Sequence, residues 1–209
     1  MKVTVLSESP ADEAAVRILV DGLLGSPTES IPPPPLRTRG WSTVLSVLPG
    51  TINHLYYRTD ADALVIVVDA DNSTPHQRQH DLPDSANDQC RLCQLRSLAV
   101  KTLSKLKEMP TRSRLKTAIG LAIPAIEAWY RYQIDPHAIE VDLIRRPDAG
   151  TRALRNQLKQ DVYGTDQPGS EMSIARAREE ATRLVQIIDD FERLFPNGFG
   201  ALARDIRSW

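Results

Sequence analysis

Apolar residues recur along this chain in two rhythms. Val3 and Val5 alternate with polar neighbours across residues 2–6, the period of a strand. Ser7-Glu8-Ser9-Pro10 breaks that pattern. From residue 12 to 24 the period lengthens, with Ala15, Val16, Leu19, Val20, Leu23 and Leu24 on one helical face and Gly25 as a stop. Strand, loop and helix together make the first half of a βαβ unit. Residues 26–35 carry Ile31 and then four consecutive prolines, a polyproline II signal that reads as an extended surface connection. Residues 41–58 predict a helix interrupted near Pro49-Gly50. Within residues 62–70 the run Ala63-Leu64-Val65-Ile66-Val67-Val68 is unbroken and rich in β-branched side chains, the mark of a strand buried on both faces.

Residues 72–89 are polar and predict a loop, and residues 90–109 a helix with Leu92, Leu95, Ala99, Leu103 and Leu106 inward. A third apolar run, residues 117–123, predicts a third buried strand, with Pro124 in the first turn of a short helix through Tyr132. Helices follow at residues 151–162 and 173–194, and a last short one within 196–209. Strands alternating with helices predict an α/β fold with a mainly parallel sheet flanked by helices. The expected division is an α/β domain over residues 1–135 and a helical C-terminal extension over 136–209, packed on it. The expected core includes Val3, Val5, Leu64, Ile66, Val68, Ile119, Leu121 and Ile123.

Composition changes this picture mainly through charge. The net charge of −1 over 209 residues hides an asymmetry: 12 acidic against 6 basic side chains in residues 1–89, then 1 against 8 in residues 90–119. The basic block Arg91, Arg96, Lys101, Lys105, Lys107, Arg112, Arg114 and Lys116 suggests contact with an anionic partner such as nucleic acid, through residues 91–116; a solvated helix face has the same composition. Aromatic residues are only 5% of the chain, which argues against a base-stacking platform as the main function. There is no apolar run long enough for a membrane span, no secretory leader pattern and only two cysteines, so a cytoplasmic setting without membrane contact is expected.

The acidic residues mark strand ends. Glu8 follows the first strand, Asp69 and Asp71 close the second buried run, and Glu127 lies just past the third. Ligands of open α/β sheets bind beyond those ends. Asp69 and Asp71, two apart, point to one side if the backbone stays extended. Carboxylates gathered without a neutralising lysine repel one another and suit a hard divalent cation, although any one of them also fits a helix cap or a turn. Glu8-Ser9-Pro10-Ala11-Asp12-Glu13 after a strand, and Asp69-Ala70-Asp71 after another, resemble the two acidic motifs of the TOPRIM domain. The spacing to Ile123-Pro124-Ala125-Ile126-Glu127-Ala128-Trp129 is similar to that in small stand-alone TOPRIM-like proteins related to OLD-type nucleases. The family has Gly after the first Glu, where this chain has Ser9. The resemblance implies a TOPRIM-like fold and a Mg²⁺- or Mn²⁺-dependent nuclease, with a partner ATPase. It makes Glu8, Asp12, Asp69 and Asp71 the metal ligands and catalytic residues, and Glu127 a further contributor.

A second set is His76, His80, Cys90 and Cys93, spaced H-x3-H-x9-C-x2-C. These ligand types suit Zn²⁺ in a structural role, since four protein ligands leave no open position. Cys93 also falls at helical spacing beside Leu92, as a core residue would, and the two histidines also fit a surface loop. There is no Walker A loop and no nucleophile elbow, which excludes ATP hydrolysis by a P-loop and serine hydrolase chemistry. Two functions remain: a metal-dependent phosphodiester-processing enzyme, or a non-catalytic subunit that binds or regulates an ATPase.

Overall fold

The computed structural model describes residues 1–35, 39–82, 84–110 and 112–209. Residue 83 of the expected loop lies outside them. Four strands, β1 (Lys2–Ser7), β2 (Glu29–Ser30), β3 (Ala63–Asp69) and β4 (Lys116–Ala122), form one sheet in the order β2-β1-β3-β4, and every pairing is parallel. The expected α/β architecture with a parallel sheet therefore holds. The short edge strand β2 was not foreseen. It lies at the entrance of the proline run, where Ile31 N–H bonds Val3 O at 3.1 Å.

Period-two alternation sorts the strands into two cores. Val3, Val5, Val65, Val67 and Ala118 face α1 (Pro10–Leu24) and the C-terminal helices. Leu6, Leu64, Ile66, Val68, Ile119 and Leu121 face α2 (Trp41–Arg58) and α3 (Arg91–Leu103). All eight expected core residues are buried, seven within strands and Ile123 just beyond β4. The chain leaves β1 toward β2 on one side, then crosses to β3 on the other. The reversal opens a crevice between the carboxyl ends of β1 and β3, where doubly wound sheets place ligands.

Several expected boundaries move for physical reasons. α2 runs without interruption through Pro49. Its buried face, Val44, Leu48, Ile52 and Leu55, continues on both sides of the proline, and that packing offsets the missing N–H. α3 ends at Leu103 instead of residue 109, because the segment beyond it turns back onto α2: Tyr57 Oη accepts from Lys107 N at 2.8 Å. Pro124 precedes its helix, α4 (Glu127–Arg131), and does not occupy the first turn; the Ile123–Pro124 peptide is cis.

The helix expected over residues 173–194 is two, α7 (Ser170–Val185) and α8 (Ile188–Leu194). Short-range bonds from Gln186 N to Arg183 O and from Ile187 N to Leu184 O close α7 early. The break lets Phe191 and Phe195 pack together at 4.7 Å, with Phe191 edge-on to Trp129 at 5.9 Å. α5 (Glu140–Arg145) was not expected from periodicity; α6 (Arg152–Tyr163) and α9 (Phe199–Arg207) were, within a few residues. Buried Glu140 accepts from Asn197 N at 2.8 Å and Gly198 N at 2.7 Å, tying α5 to the turn before α9. No helix among the described residues is long and apolar enough to cross a membrane.

Candidate functional site

β1 and β3 deliver Glu8 and Asp69 to the two sides of the crevice, and the backbone itself joins them: Asp69 N donates to Glu8 Oε1 at 2.9 Å. α1 starts two residues earlier than its apolar pattern suggested, at Pro10, because Ser9 is the N-cap and its Oγ accepts from Asp12 N at 3.2 Å. Ser9, where the resemblance led to glycine, thus fixes the first turn that holds Asp12. At the other end Gly25, at φ 66°, closes the helix in the left-handed conformation. Glu127 opens α4 just past β4 and is buried. Asp69 Oδ1 accepts from Ile126 N at 2.9 Å, which draws the α4 entry onto the same spot.

These four carboxyl groups feel one another. Burial, then Asp12, Glu127 and Glu8, push Asp69 well above the ordinary carboxylate range. Burial, then the charge of Glu127, lift Asp12 to about 7, with Glu8 adding to the rise. Burial is the largest cause of the upward shifts of Glu8 and Glu127 as well. Two tyrosines, Tyr130 and Tyr163, border the group; burial and then these carboxylates hold their phenols protonated.

Asp71 belongs to the site differently from the way its spacing suggested. The strand stops at Asp69, and Asp71 turns out of it with φ 48°, in the left-handed region that aspartate enters more readily than most residues. Asp69 and Asp71 therefore do not share an extended backbone. They are joined by guanidinium groups. Arg91 Nη1 donates to Asp71 Oδ2 at 2.7 Å and to Asp69 O at 2.6 Å, and lies 3.7 Å from Glu8 Oε1. Arg155 brings Nη1 to 2.5 Å from Asp71 Oδ1 and Nη2 to 3.6 Å from Asp69 Oδ2. The expectation of carboxylates without countercharge is thus corrected: two arginines neutralise them, one from the expected basic block and one from the C-terminal extension.

That block does not act as one face. Arg91 turns into the site. Arg96 pairs with Asp81 at 2.6 Å and Asp205 at 3.2 Å. Arg112 donates to the carbonyls of Tyr56, Thr59 and Ala61. Lys101, Lys105 and Lys107 remain exposed.

The wall that the sequence did not disclose is α6. Gly150, at φ 78°, precedes it, and a Cβ there would run into Asp71 O and come within 3.0 Å of Asn72 Oδ1. This close approach presses the start of α6 onto the turn after β3. A cavity of about 730 Å³ opens between them, lined by Trp41, by the acids Asp71 and Asp166, by the cations Arg91, Arg152, Arg155 and Lys159, and by several side-chain amides. The sequence shows 14 acidic and 12 basic residues over 120–209, which gives no hint of which basic residues converge.

The histidine–cysteine set forms a second centre beside the first. His76, His80, Cys90 and Cys93 bring one ligand atom each to within 4.8 Å of one another, a group that can hold a metal ion. Cys90 Sγ and Cys93 Sγ lie 3.8 and 3.7 Å from His76 Nδ1. His76, only 1% exposed, is no surface residue, and both cysteines are free thiols. Behind the ligands, His76 Nε2 lies 3.2 Å from Asp81 Oδ1, Asp81 holds Arg96, and Asp205 accepts from Ile119 N at 3.1 Å. This relay anchors the loop to β4. His80 Nδ1 accepts from Gln77 N at 3.4 Å within a 3-10 turn (Arg78–Asp81), leaving Nε2 for a ligand. Burial raises the Cys90 thiol to about 11. Cys90 is also the N-cap of α3, one peptide bond before Arg91.

The chain matches no protein-family profile, no curated protein and no solved structure.

Proposed function

We propose that this chain is a Mg²⁺- or Mn²⁺-dependent phosphodiester-processing enzyme of the TOPRIM type, a cytoplasmic nuclease that works with a partner ATPase. The observation that carries this reading is the convergence of Glu8, Asp12, Asp69 and Glu127 at the reversal point of a parallel sheet, each with its acid form favoured by burial, and Asp12 and Asp69 also by the neighbouring carboxylates. Glu8, Asp12, Asp69 and Asp71 would hold the ion, with Glu127 beside them. The donor set is all oxygen, the type a hard cation prefers, and a divalent charge would relieve the mutual repulsion of these groups; among the described residues only the histidine–cysteine group already has its ligand atoms gathered for an ion. A bound ion would polarise the phosphodiester and lower the pKa of a water. Arg91 and Arg155 supply positive charge at the same place and orient Asp71 and Asp69.

The test is nicking of DNA and RNA by the purified chain with Mg²⁺ or Mn²⁺, repeated with Asp69→Asn. Metal-dependent cleavage that the substitution abolishes supports the reading; no cleavage of either nucleic acid with either ion, alone or with a candidate ATPase, overturns it. The arginine bridges favour a second reading, a non-catalytic regulatory subunit, because Arg91 and Arg155 already supply countercharge to Asp69 and Asp71. That reading expects a stable complex with an ATPase and no response to divalent ions.

For the second centre we infer a structural Zn²⁺ on His76, His80, Cys90 and Cys93. Zn–S and Zn–N bonds of about 2.3 and 2.1 Å at a tetrahedral angle place sulfur and nitrogen ~3.6 Å apart. The observed separations of 3.8 and 3.7 Å nearly match that edge. The Asp81 carboxylate behind His76 is the usual outer partner of a ligating imidazole. Elemental analysis of chain purified without chelator decides the point.

A further inference from the structure

The cavity beside the carboxylates has a cationic wall, with Asp71 and Asp166 as its acidic lining residues. Arg152, Arg155 and Lys159 line it from α6 at positions i, i+3 and i+7, one face of the helix, while Leu154, Leu158 and Val162 bury the adjoining face. Arg155 is committed to Asp71 and Asp69. Among the described residues, the Arg152 side chain makes no ion pair or hydrogen bond, and Lys159 makes neither at close range, although its charge reaches Glu127 and works against the burial that raises that carboxyl. Arg152 is exposed, so nothing in the fold requires its charge.

From residue 152 to 159 the row rises about 10 Å along the helix, at 1.5 Å per residue. That length exceeds one phosphate group and suits successive phosphates of a strand. Across the cavity stands Trp41, with Arg91 stacked 4.9 Å from its ring, offering an aromatic face to a base. The volume of about 730 Å³ lies in the range of small-ligand pockets and admits a nucleotide.

We propose that this cleft binds the phosphate backbone of a single-stranded nucleic acid through Arg152 and Lys159 on α6, and leads it past Asp71 to the buried carboxylates. The substrate class rests on the phosphodiester reading above; the binding surface does not, and it replaces the exposed lysines of residues 101–107 as the main binding region.

The experiment measures binding of a fluorescent single-stranded oligonucleotide to the full chain by anisotropy, over a range of salt, without added divalent ion and without chelator. The double variant Arg152→Gln/Lys159→Gln is compared with Lys101→Gln/Lys105→Gln, which removes the same charge from a distant surface. The α6 pair is expected to weaken binding at least tenfold and to reduce the slope of log affinity against log salt by about 1.4, near 0.7 for each phosphate no longer neutralised. The α3 pair is expected to change affinity less than twofold. Melting temperatures equal to wild type confirm that both variants are folded. An α6 variant that binds like wild type, equal losses in both variants, or no saturable binding by the wild-type chain overturns the proposal. A mononucleotide that binds as tightly as the oligonucleotide also overturns it, by limiting the site to a single nucleotide. Oligonucleotide binding that depends on α6 in a chain that never nicks would refute the phosphodiester reading while leaving the cleft in place.

Discussion

The two polar centres lie side by side at the ends of β1 and β3 and differ in how they handle charge. The carboxylate centre gathers like charges in a buried place and compensates with Arg91 and Arg155. The histidine–cysteine centre gathers groups that are neutral while protonated, so its ligand atoms come within 4.8 Å without any countercharge. A site built from neutral donors can gather its ligand atoms without borrowing cations from the protein. A site built from anions either borrows cations from the protein or stays apart. The difference predicts local unfolding on metal removal at the second centre and only a lost stability increment at the first.

The largest effect is expected at the second centre. Cys93→Ser, or stripping with a chelator, should release the loop of residues 72–90 and cost ~3 kcal/mol or more, a fall of roughly 10 °C in Tm for a chain of this size. Hydrogen exchange should show protection lost around residues 72–95 and kept in β1, β3 and β4. Equal protection with and without metal would remove the structural role.

The carboxylate centre should gain from metal and lose little without it. Mg²⁺ at a hundredfold excess over Kd should stabilise by about 2.7 kcal/mol, roughly 5–10 °C, and Asp69→Asn should abolish the increment while leaving the metal-free protein as stable as before or more so. A Tm indifferent to Mg²⁺ and Mn²⁺ would erase the contrast between the centres.

Acidity sharpens the comparison further. The folded pKa of Asp12 is raised from 3.8 to about 7 and that of Glu140 from 4.5 to about 7, by burial first in both cases. A raised acid binds its proton more tightly in the folded state, so this stability is fully present below about pH 4 and lost as pH rises through 7. The metal-free protein should therefore melt higher at pH 5.5 than at pH 8. Asp12→Asn should flatten that dependence by a few degrees, in the range where 1 kcal/mol moves Tm by ~2–4 °C. An unchanged slope would place the pH effect elsewhere, at Glu140 first.

The smallest effect concerns Ser9. Ser9→Ala should cost ~1 kcal/mol through the lost cap, whereas Ser9→Gly should cost only a few tenths. Equal losses would deny Ser9 a capping role and leave its difference from the TOPRIM motif without a structural reason.

How far each centre could be read in the sequence follows from how it is assembled. His76, His80, Cys90 and Cys93 fall within one loop and the start of one helix, so spacing alone brought them together. Glu8 and Asp69 are 61 residues apart, yet strand-end position located them, because parallel strands aim their carboxyl ends at one edge. Asp71 was found for a partly wrong reason: the strand ends before it, and a left-handed turn re-aims its side chain. Arg155, Lys159 and Gly150 were invisible, since they come from a region whose periodicity announced only packing. Nothing local in residues 150–159 records that α6 will press on the turn after β3. The pattern likewise missed α5 and the break at residues 186–187, where buried Glu140 and the phenylalanine cluster outweigh local spacing.

Cys90 and Arg91 are neighbours in sequence, one a member of the histidine–cysteine cluster and the other a bridge in the carboxylate centre. The two centres are therefore not interchangeable parts. Transplanting the histidine–cysteine loop to another scaffold would carry a guanidinium aimed at carboxylates that are not there. Deleting the whole segment through Cys93 from this chain would remove Arg91, one of the two guanidinium groups on Asp71. A lineage could lose or gain either centre only by rebuilding the other, which makes this single peptide bond the narrowest point through which the protein could be redesigned.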